Sequence, residues 1–383
     1  MAWLGTWKYR RKITIDSTKI DTSDLSHFPV TVFLNTTAGS GNDDVSDIFD
    51  ELGSNDNRKK IALTTSDGET QLYAEIEKWD DANEQAILHV SKSGWTLANA
   101  ADTEFYIYFD SSQPDNTTYI GDNGDTAAEN VWDSDFKQVF HFAESSGTAA
   151  IDSTSNNKNG TYRDGTNASE THPASVAGKI GLARDFDGGD DNIAINDNNY
   201  PAIGDNDITI EAWFEKDANG AYHTLYYWGA GAGNGEVKFR SSNSSNYPYF
   251  VVSDGTTAIT ATGDTTYSTG TYYYLVGTFN ASEGTVKVYV NGVEKGTSTN
   301  ANISTLNPPL WERIGIYQEG TDGGFGSPMN GKYDEFRISV GANRRTVSWI
   351  KATYNAEMDA LIKDYAAKET YSAANTTNFF KAF

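Results

Sequence analysis

Several groups of residues in this chain could do chemistry, and each group implies a different kind. The loop 152–160 reads DSTSNNKNG. It offers carboxylate, amide and hydroxyl oxygens on a backbone that turns easily, which suits a hard cation needing roughly six to eight oxygen ligands. It is not an EF-hand, because the sixth position is Asn157 rather than Gly and no Glu stands at the twelfth. Asp187, Asp190 and Asp191 form a second acid cluster, DGGDD, which reads as a solvated turn. Glu211, Trp213 and Glu215 alternate, so a strand would put all three on one face. A pair of carboxylates so placed could flank a glycosidic bond.

Other catalytic sets have less to stand on. The histidines, His27, His89, His141, His172 and His223, are scattered, and there is neither an HExxH pair nor a GxSxG elbow. Gly229, Gly231, Gly233 and Gly235 alternate, but no Lys-Ser/Thr follows, so a surface loop is a better reading than a phosphate loop. Rings near expected loops suit binding, because sugars stack their C–H faces on aromatics. The ligand-binding candidates are Tyr227, Trp228, Tyr247, Tyr317 and Phe325. Tyr222, Tyr226 and Tyr249 are close by, and Phe325 sits in the Gly-rich segment EGTDGGFGSPMN. Core or subunit packing is the competing fate of each ring.

The elements that must position these groups are mostly short strands. Alternation marks Lys8 to Ile15, Phe28 to Leu34, Ile61 to Thr65, Thr70 to Trp79, Gln85 to Val90 and Glu104 to Phe109, with Asp44 to Leu52 helix-like. A polar stretch, 116–134, is the expected linker between a domain at 1–115 and a second at 135–357. In the second, strands are expected at Phe136–Phe142, Leu182–Phe186, Asn192–Ile195, Ile208–Phe214, Thr224–Trp228, Val237–Arg240, Tyr249–Val252, Tyr272–Phe279, Thr285–Val290, Val293–Ser298, Arg313–Ile316 and Gly331–Ile338. Asn291-Gly292 between alternating strands calls for a type I′ hairpin turn. Met358, Leu361, Ile362 and Tyr365 recur at helical spacing, so the terminal segment 358–383 is expected to hold a short helix, spanning 355–368, and a tail.

The 383 residues suit two domains, and 13% aromatic content can fill their cores. A formal charge of −24 repels phosphate backbones, so nucleic acid is not an expected partner. With no cysteine, the fold uses neither disulfides nor thiolate metal sites. No window approaches the roughly 18 apolar residues of a membrane span. The first residues, MAWLGTWKYRRKITI, do not read as a signal peptide.

Six segments, taken in order, resemble the laminin-G-like jelly roll of the concanavalin A-like lectin/glucanase superfamily. They are Val139 to Glu144 (VFHFAE), Ile151 to Asn157 (IDSTSNN), Ala183 to Gly188 (ARDFDG), Ile208 to Phe214 (ITIEAWF), Val288 to Val293 (VYVNGV) and Gly331 to Ile338 (GKYDEFRI). The first domain resembles a domain of unknown function that often precedes such jelly rolls, through Trp7 to Ile15 (WKYRRKITI), FPVTVFL, Leu72 to Trp79 (LYAEIEKW) and Tyr106 to Phe109 (YIYF). The resemblance implies an all-β chain: an N-terminal β-sandwich, then a concanavalin-like antiparallel jelly roll. It also implies a structural Ca2+ held by Asp152 and Asp334, with Asn157 and loop carbonyls around it. Glucanases of the superfamily carry Glu-x-Asp-x-Glu. Here Trp213 replaces the central Asp, which weakens a glycosidase reading.

Three functions remain open. The first is a non-catalytic virion accessory or adhesion protein, of capsid-decoration or tail-fibre type, whose jelly roll binds glycans on a virion or extracellular surface. Tandem pairs like this resemble phage particle and microbial surface proteins, and other virion proteins and a homo-oligomer are the expected partners. The second is a purely structural assembly protein, with Trp3-Leu4 and Phe379-Phe380 as docking hydrophobes. The third is a glycoside hydrolase acting on β-glucans.

Overall fold

The computed structural model describes residues 2–195, 201, 203–217, 222–229, 235–241, 247–303, 305–306, 310–319, 324–343 and 345–372. The chain packs as two units, Met1–Trp132 with Asn355–Phe383, and Asp133–Tyr354.

In the first unit, the alternating runs become one continuous curled sheet. Its strands run in the order Ile362–Tyr365, Tyr9–Ile15, Thr103–Phe109, Ile61–Thr65, Gln71–Asp80, Gln85–Ser91, Val30–Leu34. Strand Gln71–Asp80 pairs with Ile61–Thr65 near Leu72 and with Gln85–Ser91 beyond it, with its register shifting between Ile76 and Lys78. It therefore serves both halves of the sheet. Ile13, Val32, Leu63, Leu88, Phe105 and Ile107 are fully buried, each contributing on the order of 1.5–3 kcal/mol by leaving water.

Two segments depart from expectation. The stretch 116–134 is not a bare linker. Ile120–Asp122 pairs in parallel with Gln71–Asp80, and a short helix, Thr126–Glu129, follows. Trp132 is buried and donates its indole N–H to Glu75 Oε2 at 2.7 Å. At the C-terminal end the helix is Val347–Glu357 rather than 355–368. Ile362–Tyr365 is a strand instead, with Ile13 opposite Tyr365 and Ile15 opposite Ile362. A bulge skips Lys363, so Ile362 and Tyr365, three apart, are both buried. That spacing imitates a helical stripe. Trp3 packs within this unit, donating to Trp7 O at 2.6 Å under the Arg10 guanidinium, while Phe379-Phe380 lie outside the described residues.

The second unit is a sandwich of two antiparallel sheets. The first runs Ala174–Ala177, Leu182–Asp187, Asn330–Gly341, Asp207–Lys216, Tyr272–Asn280, Thr285–Val290, Val293–Thr299, with Phe136–Phe140 also paired to Asn330–Gly341. The second runs Ala149–Ala150, Gly160–Asp164, Asp191–Ile195, Trp311–Ile314, His223–Gly229, Glu236–Ser241, Pro248–Ser253, Ala258–Thr262. Between them lies one apolar core, including Phe140, Ile210, Phe214, Tyr226, Phe239 and Phe336. Phe336 stacks on Phe140 at 5.9 Å and on Tyr226 at 5.5 Å, joining the sheets through ring faces. Asn291 and Gly292 both have positive φ, at 51° and 77°, as a type I′ turn requires.

Candidate functional site

The pleat decides which side chains of the second sheet can meet a ligand. Along Glu236–Ser241 the residues alternate between half-buried and buried. Val237 and Phe239 enter the core, so Glu236, Lys238 and Arg240 point outwards. The neighbouring strands share this register, with Lys238 opposite Tyr227 and Val251, and Arg240 opposite Tyr249. Tyr227 lies opposite Arg313 on the next strand.

A short hairpin, Tyr317–Glu319 with Gly324–Gly326, brings one more ring to this face. Tyr317 meets Tyr227 edge-on at 4.7 Å. The Arg240 guanidinium lies 4.6 Å and Lys238 Nζ 5.3 Å from the centre of the Tyr317 ring. Lys238 also pairs with Glu236 at 2.5 Å. Tyr222, which is 39% exposed, meets Tyr249 edge-on at 6.4 Å. Burial raises the Tyr249 hydroxyl above its usual range, with Arg240 pulling it back. The face therefore combines rings with cationic hydrogen-bond donors, which is chemistry suited to sugar hydroxyls and C–H faces.

Of the rings singled out from sequence, Tyr227 and Tyr317 come together here, but Tyr227 is itself fully buried, so it supports Tyr317 rather than meeting a ligand. Trp228 does not, because it is 1% exposed and belongs to the core. As Tyr227's immediate neighbour on a strand, it has to face the other way. Phe325 pairs opposite Gln318, so it lies on the other side of the hairpin ribbon from Tyr317. Tyr247 is half-buried just before Pro248–Ser253, next to residues outside the described set. Sequence reasoning missed Lys238, Arg240 and Arg313. The signal was available in Glu236-Val237-Lys238-Phe239-Arg240, where charges and core residues alternate.

The expected calcium ligands occupy a different kind of site. Asp152 is buried beside Phe136–Phe140. Its Oδ1 accepts from Val139 N at 3.1 Å and Thr154 N at 3.0 Å. Its Oδ2 accepts from Thr154 Oγ1 at 3.0 Å and Lys158 N at 2.8 Å. These bonds occupy the lone pairs a cation would use. Burial still pushes the carboxyl up to about 6. Asn157 is exposed at the loop tip. Asp334 lies opposite Trp213 and accepts from Ile180 N at 2.9 Å. Among the described residues, neither carboxylate belongs to a group of three His, Asp or Glu ligand atoms within 4.8 Å of one another. Asp152 is thus held by four protein hydrogen bonds within a structural turn.

The acid pair considered for glycoside chemistry is also engaged. Glu211 is 2% exposed and accepts from Tyr274 Oη at 2.6 Å, with Arg337 at 3.9 Å. Glu215 pairs with Lys332. Between them, Trp213 packs against Tyr274 at 5.5 Å and against Tyr354 of the Val347–Glu357 helix at 5.8 Å. The helix residue Ile350 joins the same cluster. This face of the first sheet is packed against the helix.

Comparison with known proteins bears on this unit. Residues 187–345 match the family described as the concanavalin A-like lectin/glucanases superfamily. No curated protein sequence matches the chain. Among solved structures, domain 4 of AbnA, a GH43 extracellular arabinanase from Geobacillus stearothermophilus solved with arabinotriose, is similar at 22% identity. It covers 56% of this chain and 96% of that one, with a TM-score of 0.42. The binding domain of Paraclostridial Mosquitocidal Protein 1 is similar at 14% identity, with 58% and 52% coverage and a TM-score of 0.45. The receptor binding domain of botulinum neurotoxin D is similar at 15% identity, with 58% and 53% coverage and a TM-score of 0.42. The match spans about half the length of each toxin domain.

Proposed function

Residues 187–345 are a concanavalin A-like lectin/glucanase jelly-roll domain, and from that premise we propose that the chain is a non-catalytic carbohydrate-binding protein. Its sugar lies on the outer face of the second sheet, against Tyr317, Tyr249 and Tyr222, with Lys238 and Arg240 as donors. The observation that carries this reading is the bracketing of Tyr317 by Tyr227, Lys238 and Arg240, which holds a half-buried ring among cationic donors on an outward face. A few placed polar groups beside apolar rings are the usual composition of a small-ligand site. The packing of Trp213 against the helix, and the partners of Glu211 and Glu215, support binding over hydrolysis.

The setting belongs to the same proposal. The chain acts as an adhesion or accessory protein of a virion or extracellular surface, of capsid-decoration or tail-fibre type, as a homo-oligomer beside other particle proteins. The tandem architecture supports it. Light scattering tests the assembly, and a strict monomer at all concentrations counts against it.

A glycan array probed with the full chain tests the binding role. Binding to at least one glycan class is expected, and Tyr317→Ala should weaken it roughly tenfold, about 1.4 kcal/mol, with an unchanged melting temperature. No binding across neutral and acidic glycans overturns the reading.

A further inference from the structure

The charge on this sheet face runs against that of the chain. The protein carries −24 overall, yet the outward positions of Trp311–Ile314, His223–Gly229, Glu236–Ser241, Pro248–Ser253 and Ala258–Thr262 hold Arg313, Lys238 and Arg240 against one carboxylate, Glu236. That carboxylate is already spent on Lys238. Arg313 donates from Nη1 to the Glu312 carbonyl at 2.8 Å. On Arg240 both Nε and Nη2 are shielded from water and have no acceptor within hydrogen-bond distance among the described residues, while the neighbouring Tyr249 hydroxyl feels the guanidinium.

Those two nitrogens share one edge of the guanidinium plane. It is the edge whose parallel N–H bonds match the two oxygens of a carboxylate. The guanidinium carbon lies over the Tyr317 ring, 4.6 Å from its centre. Buried polar groups are nearly always satisfied, so a buried fork without an acceptor calls for one. Lys238 lies on the same ring, and Tyr249 stands opposite Arg240 in the register. The fork is shielded as the face stands, so a ligand reaches it only by displacing a side chain of this face.

We propose that this face selects an acidic sugar, one whose carboxylate is held bidentately by the Nε–Nη2 edge of Arg240 while its ring lies against Tyr317 and Tyr249. The inference rests on the glycan-binding reading above and adds the ligand class. A lysine would keep the charge and lose the fork, so the geometry separates specificity from simple attraction. Lys238 adds a second, salt-sensitive contribution.

The experiment uses the full chain and paired probes: oligogalacturonate, oligomannuronate and sialyllactose, each beside its uncharged methyl ester. Titration calorimetry at low and high salt gives the affinities, and melting temperatures confirm that the variants fold. At least one acid is expected to bind tenfold or more tighter than its ester. Arg240→Lys should erase most of that preference, bringing the acid and its ester to within about twofold of each other whatever their common affinity. Acid and ester binding equally, with Arg240→Lys changing neither, overturns the acidic-sugar inference and leaves the glycan reading standing. A preference for acid that survives both Arg240→Lys and Arg240→Ala also overturns it, because the fork would then not be the selector. No binding of any probe or any array glycan removes the glycan reading and this inference with it.

Discussion

Glu312 is the residue whose titration should be easiest to see in the stability of the second unit. It is fully buried on Trp311–Ile314 and faces inwards. Its Oε1 accepts from Tyr226 Oη at 2.9 Å and its Oε2 from Gln138 Nε2 at 3.2 Å. Burial raises the carboxyl from 4.5 to about 7, the two hydrogen bonds and Lys158 opposing the rise and Asp152 adding to it. That difference makes the ionised form about 3 kcal/mol less favourable in the fold than in the unfolded chain. Below pH 4.5 both states hold the proton and nothing is lost. Between 4.5 and about 7 the unfolded chain releases a proton that the fold retains, so stability falls as pH rises, and above that range the loss is complete.

Glu312→Gln keeps the shape and removes the charge. The Gln138 amide can flip to present Oε1, which has no partner among the described residues, so both hydrogen bonds survive. Urea unfolding followed by tryptophan fluorescence at pH 4 and pH 8 is the assay. The variant should match the parent at pH 4 and exceed it by about 2–3 kcal/mol at pH 8. A stability difference that does not depend on pH, or a parent gaining stability from pH 5 to pH 8 relative to the variant, would refute the reasoning.

Three further outcomes follow from the same geometry. Asp152→Asn should lower the stability of the second unit by about 1–3 kcal/mol, because a buried donor loses its acceptor, and the loss should be equal in calcium and in chelator. A loss found only in calcium would restore a metal role to Asp152. Phe336→Ala, which removes the ring between Phe140 and Tyr226, should cost about 3–5 kcal/mol in denaturant unfolding, and a cost under 1 kcal/mol would contradict the core assignment. Glu211→Gln and Glu215→Gln together should leave glycan binding unchanged and produce no change in sugar release from β-glucans, and loss of a measurable hydrolysis rate would make the chain an enzyme.

The strands were legible because a half-buried sheet imposes period two on the sequence, and Val286-x-Val288-x-Val290-Asn291-Gly292 shows that period with its turn. What escaped is set by long-range contact. Ile120 and Trp132 look like isolated apolar residues in a polar stretch until Gln71–Asp80 and Glu75 come alongside. Ile362 and Tyr365 imitate a helix because a bulge, invisible in one sequence, gives a strand the spacing of three. Ring by ring, the sequence offers both Tyr227 and Trp228 as ligand contacts, although adjacent strand residues cannot share a face. Arg240 and Lys238 stayed hidden because a charge on a strand reads as solvated surface until a ring from a distant hairpin is placed over it.

The central claim is that the outer face of the second sheet meets sugar. The most direct measurement is a crystal structure of the full chain soaked with the tightest glycan from the array. The account predicts density for a sugar ring against Tyr317 and Tyr249, within hydrogen-bond reach of Arg240. A sugar bound instead along Glu211 and Glu215, or on the first unit, would contradict it.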